Sequence, residues 1–158
     1  MKILGIDPGI ERLGWGVLAK NSGQIERINS GVKKTLKTQK QSERLFEIQN
    51  FLDELILTEK PDMVSVEKLF FAKNAKTALV ISEVRGVILA TAQKHKMPIS
   101  EFTPLQVKMA VCGYGKATKE DVAKMLKLSI VLPQKNILDD ETDALAIALT
   151  GALHHRYP

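Results

Sequence analysis

The feature that most constrains the fold is a change of hydrophobic period near residue 40. Before that point the chain has three strand-like segments: an apolar run at 1–6, then segments at 14–19 and 24–32. The turn-prone Asn21-Ser22-Gly23 separates the last two, and no helix fits before residue 40. This pattern predicts an antiparallel meander of three strands.

After residue 40, helices alternate with single short strands. Helices are predicted at about 41–58, 75–94, 104–113, 118–126 and 139–155, and short strands at 63–67 and 99–102. A strand that follows a crossover helix is expected to lie parallel to the earlier strand. The order therefore predicts one α/β domain over residues 1–158, with a mixed five-stranded sheet flanked by helices. Ligands in such sheets gather at the carboxyl ends of the strands.

The helix predicted at 75–94 is apolar around much of its girth, which suggests two burial partners. Gly86 in its middle costs about 1 kcal/mol relative to Ala, a cost best explained by another backbone packing closely there. The second partner of this helix is expected to be another subunit. The final helix has a predicted core stripe: Leu145, Ala148, Leu149, Ala152 and Leu153.

Composition narrows the partners and the compartment. The formal net charge is +5, from 23 Lys and Arg against 18 Asp and Glu, which is compatible with a polyanionic partner without requiring one. No apolar run approaches the roughly 18 residues of a membrane span, so a cytoplasmic protein without a membrane partner is expected. The single cysteine, Cys112, excludes an internal disulfide and is expected to fill core space.

Acidic residues stand at three separate points that the fold can bring together. Asp7 ends the first predicted strand and Glu67 ends the fourth, whereas Asp139, Asp140, Glu141 and Asp143 crowd one helix N-terminus. On a helix, Asp140 and Asp143 lie about 60° apart and Asp139 and Asp143 about 40° apart, whereas Glu141 points elsewhere. Helix geometry alone leaves Asp139 and Asp140 as equal candidates.

Oxygen ligands without an accompanying His or Cys favour Mg²⁺ or Mn²⁺ over zinc. Four acids can hold two such ions, an arrangement suited to phosphodiester hydrolysis. The alternative is structural: Asp139 and Asp140 cap a helix and complement its dipole, while Asp7 starts a turn beside Pro8 and Gly9. The residues alone leave both interpretations open.

Ordered sequence blocks resemble the RuvC family of Holliday junction resolvases over nearly the whole chain. The matching blocks are Ile3-Leu4-Gly5-Ile6-Asp7-Pro8-Gly9, Gly14-Trp15-Gly16-Val17, Val66-Glu67-Lys68-Leu69-Phe70, Ala72-Lys73-Asn74-Ala75, Gln106-Val107-Lys108, Gly113-Tyr114-Gly115 with Lys119, and Asp140-Glu141-Thr142-Asp143-Ala144-Leu145-Ala146-Ile147-Ala148. The resemblance implies a ribonuclease H-like fold of the retroviral integrase superfamily. It also implies a metal-dependent DNA endonuclease.

The resemblance also implies roles for individual residues. Asp7, Glu67, Asp140 and Asp143 would be the catalytic metal-binding acids, with Asp140 selected over Asp139 by the family's Asp-x-x-Asp-Ala-Leu spacing. Lys108 and Lys119 match lysines near the scissile phosphate, where a fixed cation stabilises developing charge. The DNA-binding candidates are Phe70, which matches a base-stacking aromatic, with Phe71, Lys73, Asn74, Lys76 and Lys116. Two adjacent phenylalanines can equally belong to a core, and this alternative is strongest for Phe71.

The partners implied by the resemblance are four-way junction DNA, a second copy of the chain and a branch-migration motor. Paired symmetric nicks need two equivalent sites, which a homodimer supplies, and the helix with Gly86 is the candidate interface. The implied cofactor is Mg²⁺, two ions per site, with Mn²⁺ able to substitute. Two alternatives remain: a ribonuclease H-like nuclease that processes precursor ribosomal RNA, and a junction-binding scaffold without chemistry. The block Glu67 to Phe70 argues against the first, and the complete acid set argues against the second.

Overall fold

Strands and helices alternate along the parts of the chain described by the computed structural model, which are residues 1–68, 75–131 and 137–155. The strands are β1 (Lys2–Asp7), β2 (Arg12–Asn21), β3 (Gln24–Lys34), β4 (Met63–Glu67) and β5 (Ile99–Phe102). The helices are α1 (Gln41–Glu59), α2 (Ala75–Lys94), α3 (Pro104–Cys112), α4 (Lys119–Ser129) and α5 (Asp139–His154). The order of elements is the predicted one.

The strands form one mixed sheet in the order β3-β2-β1-β4-β5. Strand β2 pairs antiparallel with both β1 and β3, whereas β4 lies parallel to β1 and β5 parallel to β4. The β2–β3 connection is the two-residue turn Ser22-Gly23, with φ of 47° and 88°, which is the positive-φ geometry of tight hairpins. These pairings confirm the predicted meander and the predicted mixed sheet.

Helices cover both faces of the sheet. One core contains Ile3 and Leu18 of the sheet with residues of α3, α4 and α5, and the other contains Leu4 and Ile6 with residues of α1 and α2. The alternation of Ile3 and Leu4 between the two cores is the period-2 pattern of a strand buried on both sides. Each fully buried Leu or Ile contributes about 1.5–3 kcal/mol through the apolar surface it removes from water.

Helix α5 lies directly on β1 and β2 because small residues permit backbone contact. A Cβ on Gly5 would clash with the Ala144 carbonyl oxygen and the Ala148 amide nitrogen of α5. A Cβ on Gly14 would clash with the carbonyl oxygen of Asp140. The first turn of α5 is thereby held against the hairpin that follows Asp7.

Capping residues set the predicted helix boundaries. Thr103 caps α3 by accepting a hydrogen bond from the Gln106 amide, and Gly113 ends that helix with a φ of 80°. The predicted capping box of Thr118 and Asp121 begins α4. The prediction that α4 ends near Leu126 is wrong, because the helix continues to Ser129 and brings Ile130 into the core.

Two further expectations need correction. The prediction that Leu153 belongs to the core stripe of α5 is wrong, since 49% of this side chain is exposed. Close backbone packing at Gly86 is absent among the described residues, where nothing lies within 4 Å of a Cβ built there. The described helices include none that is long and apolar enough to cross a bilayer.

Candidate active site

The carboxyl ends of β1 and β4 bring Asp7 and Glu67 side by side. Ile6 of β1 pairs with Val66 of β4 in parallel register, and the two acids follow these residues directly. The sheet therefore sets two carboxylates at the same height, as the order of strands predicts. Glu67 also pairs with Phe102 of β5, after which Thr103 begins α3.

The N-terminal end of α5 supplies two more acids at the same place. Asp140 and Asp143 line one cavity of about 260 Å³ together with Asp7 and Glu67. Asp139 is exposed and lines a neighbouring depression with Lys119 and Asp143 instead. The structure thus brings Asp140 rather than Asp139 to the strand ends, a choice that helix geometry alone leaves open.

Two lysines complete the lining of this cavity. Lys108 projects from α3, whose residues Pro104 and Val107 line the same wall, and Lys119 is the first residue of α4. Lys119 Nζ donates a hydrogen bond of 2.8 Å to Asp143 Oδ2. Lys108 has no ion-pair partner within the described ranges. Both lysines predicted beside the acids therefore lie there, one paired and one available.

Burial and the repulsion between neighbouring carboxylates both oppose ionisation of the acids in the cavity. Burial raises the pKa of Asp7 from 3.8 to about 8, and the charges of Asp143, Glu67 and Asp140 add to the effect while Lys119 opposes it. The pKa of Glu67 is also raised, by burial and then by Asp143. Such shifts arise where carboxylates are withdrawn from water and crowd together without enough compensating positive charge. The site therefore favours either protons or additional cations.

A third cation, Arg12, lies against the acids and was not predicted from the sequence. Its Nε is 2.9 Å from Asp140 Oδ2. Arg12 is the first residue of β2, and Gly14 of the same strand lies opposite Asp7. The hairpin that reverses the chain after Asp7 therefore carries Arg12 back towards the acids. That hairpin was the available signal, but the direction of a long side chain cannot be read from it.

Glu141 was expected to point away from the other acids. Its side chain does point away from them and is buried inside the protein. Only 5% of it is exposed, and its Oε1 accepts a hydrogen bond of 2.6 Å from the Ser30 hydroxyl of β3. Arg27 Nε donates to the same hydroxyl, and Arg27 Nη2 lies 3.9 Å from Glu141 Oε1. This buried network fixes the first turn of α5 to β3, between the two acids that line the cavity.

The donor set fits a divalent cation of the magnesium type. It consists of four carboxylates without His or Cys, and Asp140 Oδ2 is buried yet receives no directed hydrogen bond, despite its short distance to Arg12. Across the described ranges, no three acidic, His or Cys side chains already converge closely enough to hold an ion. Asp140 is paired with Arg12 and Asp143 with Lys119 in this structure. A cation bound by these acids would compete with the two ion pairs.

The remaining predicted residues lie outside the cavity or outside the described ranges. Lys116 is exposed in the turn between α3 and α4 and does not line the cavity. The predicted DNA-binding residues Phe70, Phe71, Lys73 and Asn74 fall outside the described residues, as does the side chain of Lys76. Their predicted contacts remain predictions.

Comparisons with known proteins agree on one family. The family model described as crossover junction endodeoxyribonuclease RuvC matches residues 3–151. A protein of that name from Prochlorococcus marinus (strain NATL2A) is 46% identical over 153 residues, which cover 96% of this chain and 97% of the relative. The protein of the same name from Petrotoga mobilis is 47% identical over 148 residues, covering 94% and 91% of the two chains.

Solved structures give the same result. The structure described as Thermus thermophilus RuvC in complex with Holliday junction substrate has a TM-score of 0.91 and 35% identity, covering 98% of this chain and 94% of that one. A yeast mitochondrial Holliday junction resolvase, at 16% identity, shares the fold with a TM-score of 0.70, covering 96% and 77% of the chains.

Proposed function

The chain belongs to the RuvC family of crossover junction endodeoxyribonucleases, and on this premise we propose that it is a structure-specific DNA endonuclease that resolves Holliday junctions. Its fold is the ribonuclease H-like fold of the structures it matches. The observation that carries the proposal is the convergence of Asp7, Glu67, Asp140 and Asp143, from three separate segments, on one cavity. Neither the precursor-RNA nuclease nor the inactive scaffold is favoured by these relatives.

The proposed cofactor is a pair of Mg²⁺ ions held by Asp7, Glu67, Asp140 and Asp143, with Mn²⁺ able to replace them. Bound ions of this kind lower the pKa of an attacking water and stabilise the leaving 3′ oxygen of an in-line displacement. The pKa values of Asp7 and Glu67, raised by burial and then by the neighbouring acids, support the assignment, because divalent cations would stabilise the ionised carboxylates.

The two lysines are proposed to take different parts in the reaction. Lys108 lines the cavity without an ion-pair partner among the described residues, so its ammonium group is available to a phosphate oxygen. There it would stabilise the negative charge that develops during cleavage. Lys119 donates a hydrogen bond of 2.8 Å to Asp143, which holds that carboxylate in place. We therefore assign substrate binding to Lys108 and positioning of Asp143 to Lys119.

The proposed assembly is a cytoplasmic homodimer of single-domain chains that binds four-way junction DNA and works with a branch-migration motor. Two symmetric nicks require two equivalent sites, which a two-fold dimer provides. The α2 face that contains Leu79, with 67% exposure, and Gly86 supports this assignment, because no described residue covers Gly86. Additional DNA contacts are proposed for Phe70, Phe71, Lys73, Asn74, Lys76 and Lys116.

The experiment that tests this function uses a labelled synthetic four-way junction and a duplex of the same sequence. With Mg²⁺ the protein should place paired nicks at symmetric positions in the junction and leave the duplex intact. The variant Asp7→Asn should bind the junction without cutting it. Equal cutting of the duplex would contradict the proposal, as would cutting by the variant. Binding by the wild type without any cleavage would instead support the scaffold alternative.

A further inference from the structure

Arg12 stands where two surface depressions meet. Asp140 lines the cavity of the four acids and also a second groove, which is bordered by Arg12, by Val80 and by Glu11, whose carboxylate is paired with Lys37. Asp140 therefore separates the cavity from the groove, and Arg12, which lines the groove, contacts its carboxylate. A DNA strand with one phosphate over the acids would bring a neighbouring phosphate towards such a groove.

The contact between Arg12 and Asp140 is a weak form of ion pair. It involves one nitrogen, Arg12 Nε, at 2.9 Å from Asp140 Oδ2, whereas strong arginine–carboxylate pairs are bidentate. Asp140 Oδ2 is buried but receives no directed hydrogen bond, so the attraction rests on charge. The Arg12 side chain is 51% exposed, which leaves the guanidinium free to move towards solvent.

The second ion pair of the site is different in kind. Lys119 donates a directed hydrogen bond to Asp143, and this bond raises the pKa of Lys119. Of the two cations that form ion pairs with the acids, Arg12 is therefore the more easily displaced. A divalent cation bound at Asp140 would repel the guanidinium, because the two positive charges would lie within a few ångströms of each other.

We propose that Arg12 is an exchangeable cation of the active site, which neutralises Asp140 until a divalent cation binds there and then binds a DNA backbone phosphate in the adjoining groove. The guanidinium group is suited to the second role because its planar donors match phosphate oxygens. This inference rests on the proposed function. It assigns Arg12 as a DNA-binding residue whose availability depends on the metal.

The first test measures Mg²⁺ binding without DNA, by calorimetry on the full-length protein. Arg12→Gln should bind Mg²⁺ about two- to fivefold more tightly than the wild type, the range expected for loss of a competing half-exposed ion pair. Arg12→Lys should stay close to the wild type. Weaker Mg²⁺ binding by Arg12→Gln would overturn the proposal, because it would mean that Arg12 positions Asp140 for the metal.

A matched control is available in the pair of Lys94 and Asp53. Its atoms are 2.7 Å apart and its side chains are 57% and 20% exposed, against 51% and 20% for Arg12 and Asp140. Lys94 is the last residue of α2, some 28 Å along the helix from its first residue. Lys94→Gln removes the same charge and should leave Mg²⁺ affinity unchanged. An equal tightening in this control would show a general charge effect and overturn the proposal.

The second test measures binding of a synthetic four-way junction by fluorescence anisotropy over a range of salt concentrations, in EDTA and in Ca²⁺. Gels confirm that no cleavage occurs during the measurement. In Ca²⁺, Arg12→Gln should bind more weakly, with a salt slope smaller by about 1, and Arg12→Lys should restore the slope. In EDTA the variant should match the wild type, because Arg12 is then engaged with Asp140.

Equal losses in EDTA and in Ca²⁺ would overturn the metal-dependent exchange, and an unchanged salt slope would overturn the phosphate contact. The Mg²⁺ measurement contains no DNA. Failure of the proposed function, seen as a wild type that neither prefers nor cuts junctions, is therefore distinguishable from failure of this inference.

Discussion

Replacing Asp7 by asparagine should stabilise the metal-free protein at neutral pH while abolishing its activity. In the folded chain the pKa of Asp7 is raised from 3.8 to about 8, chiefly by burial. Because its pKa is higher in the folded chain than in the unfolded chain, Asp7 lowers the free energy of unfolding progressively as the pH rises from about 4 to about 8. At pH 7 this shift lowers the free energy of unfolding by about 4 kcal/mol, a loss that the neutral asparagine avoids.

The assay is urea unfolding in EDTA at several values between pH 4 and pH 8.5, for the wild type and Asp7→Asn. The difference in free energy of unfolding should be near zero at pH 4 and grow to several kcal/mol by pH 8. Addition of Mg²⁺ should stabilise the wild type and not the variant, since the added stability requires specific binding to the folded chain. The gain in the wild type should be larger at pH 8 than at pH 6, because metal binding then displaces fewer protons.

Asp121→Asn is the control with the opposite sign. The pKa of Asp121 is lowered by hydrogen bonds from Thr118 and Tyr114, so its contribution is present at neutral pH and lost on acidification. This variant should be less stable than the wild type at pH 7. A raised pKa at Asp7 is refuted if Asp7→Asn is no more stable than the wild type at pH 7.5 in EDTA, or if the advantage of the variant does not change with pH.

Three further substitutions test the construction of the site. Glu141→Ala should lower the free energy of unfolding by about 2–4 kcal/mol and weaken Mg²⁺ binding, because it leaves a buried network without its acceptor. Glu141→Gln should retain most of the stability and most of the Mg²⁺ affinity, and an unchanged Mg²⁺ affinity in Glu141→Ala would contradict a positioning role. Gly14→Ala should lower the free energy of unfolding by about 1–3 kcal/mol and weaken Mg²⁺ binding, because the added Cβ clashes with the Asp140 carbonyl. Gly23→Ala, in a positive-φ turn, should lower it by about 1 kcal/mol and leave Mg²⁺ affinity intact; urea unfolding and calorimetry measure the two effects. Lys108→Gln should reduce single-turnover cleavage about a hundredfold without changing Mg²⁺ affinity, and loss of metal binding instead would place Lys108 among the groups that organise the acids.

The acids at the strand ends could be predicted because they depend on chain order. A strand that follows a crossover helix lies parallel to its predecessor, so Asp7 and Glu67 had to end at the same edge of the sheet. The choice between Asp139 and Asp140 could not be made in this way. It depends on how α5 is rotated on the sheet, and that rotation is fixed by Gly5 and Gly14, whose missing side chains carry no hydrophobic signal.

Residues that act across the fold were the ones missed. Glu141 was correctly expected to diverge from Asp140, but its partners Ser30 and Arg27 lie more than a hundred positions earlier in the chain. The exposure of Leu153 was mispredicted for a related reason. Helical spacing marks an apolar stripe, but only the surrounding elements decide how far along the helix that stripe is covered.

The site combines groups that oppose folding with groups that offset them. Asp7 and Glu67 are driven towards protonation by burial and by their neighbours, while Arg12 and Lys119 pair with the two acids of α5. Neither cation reaches the buried acids of the strand ends by an ion pair, so the repulsion around Asp7 is only partly offset within the described residues. Local rules are expected to fail at such a point, since a sequence optimised for stability alone would not bring four acids together. The excess negative charge at the ends of β1 and β4 is thus the physical basis for expecting cation binding there.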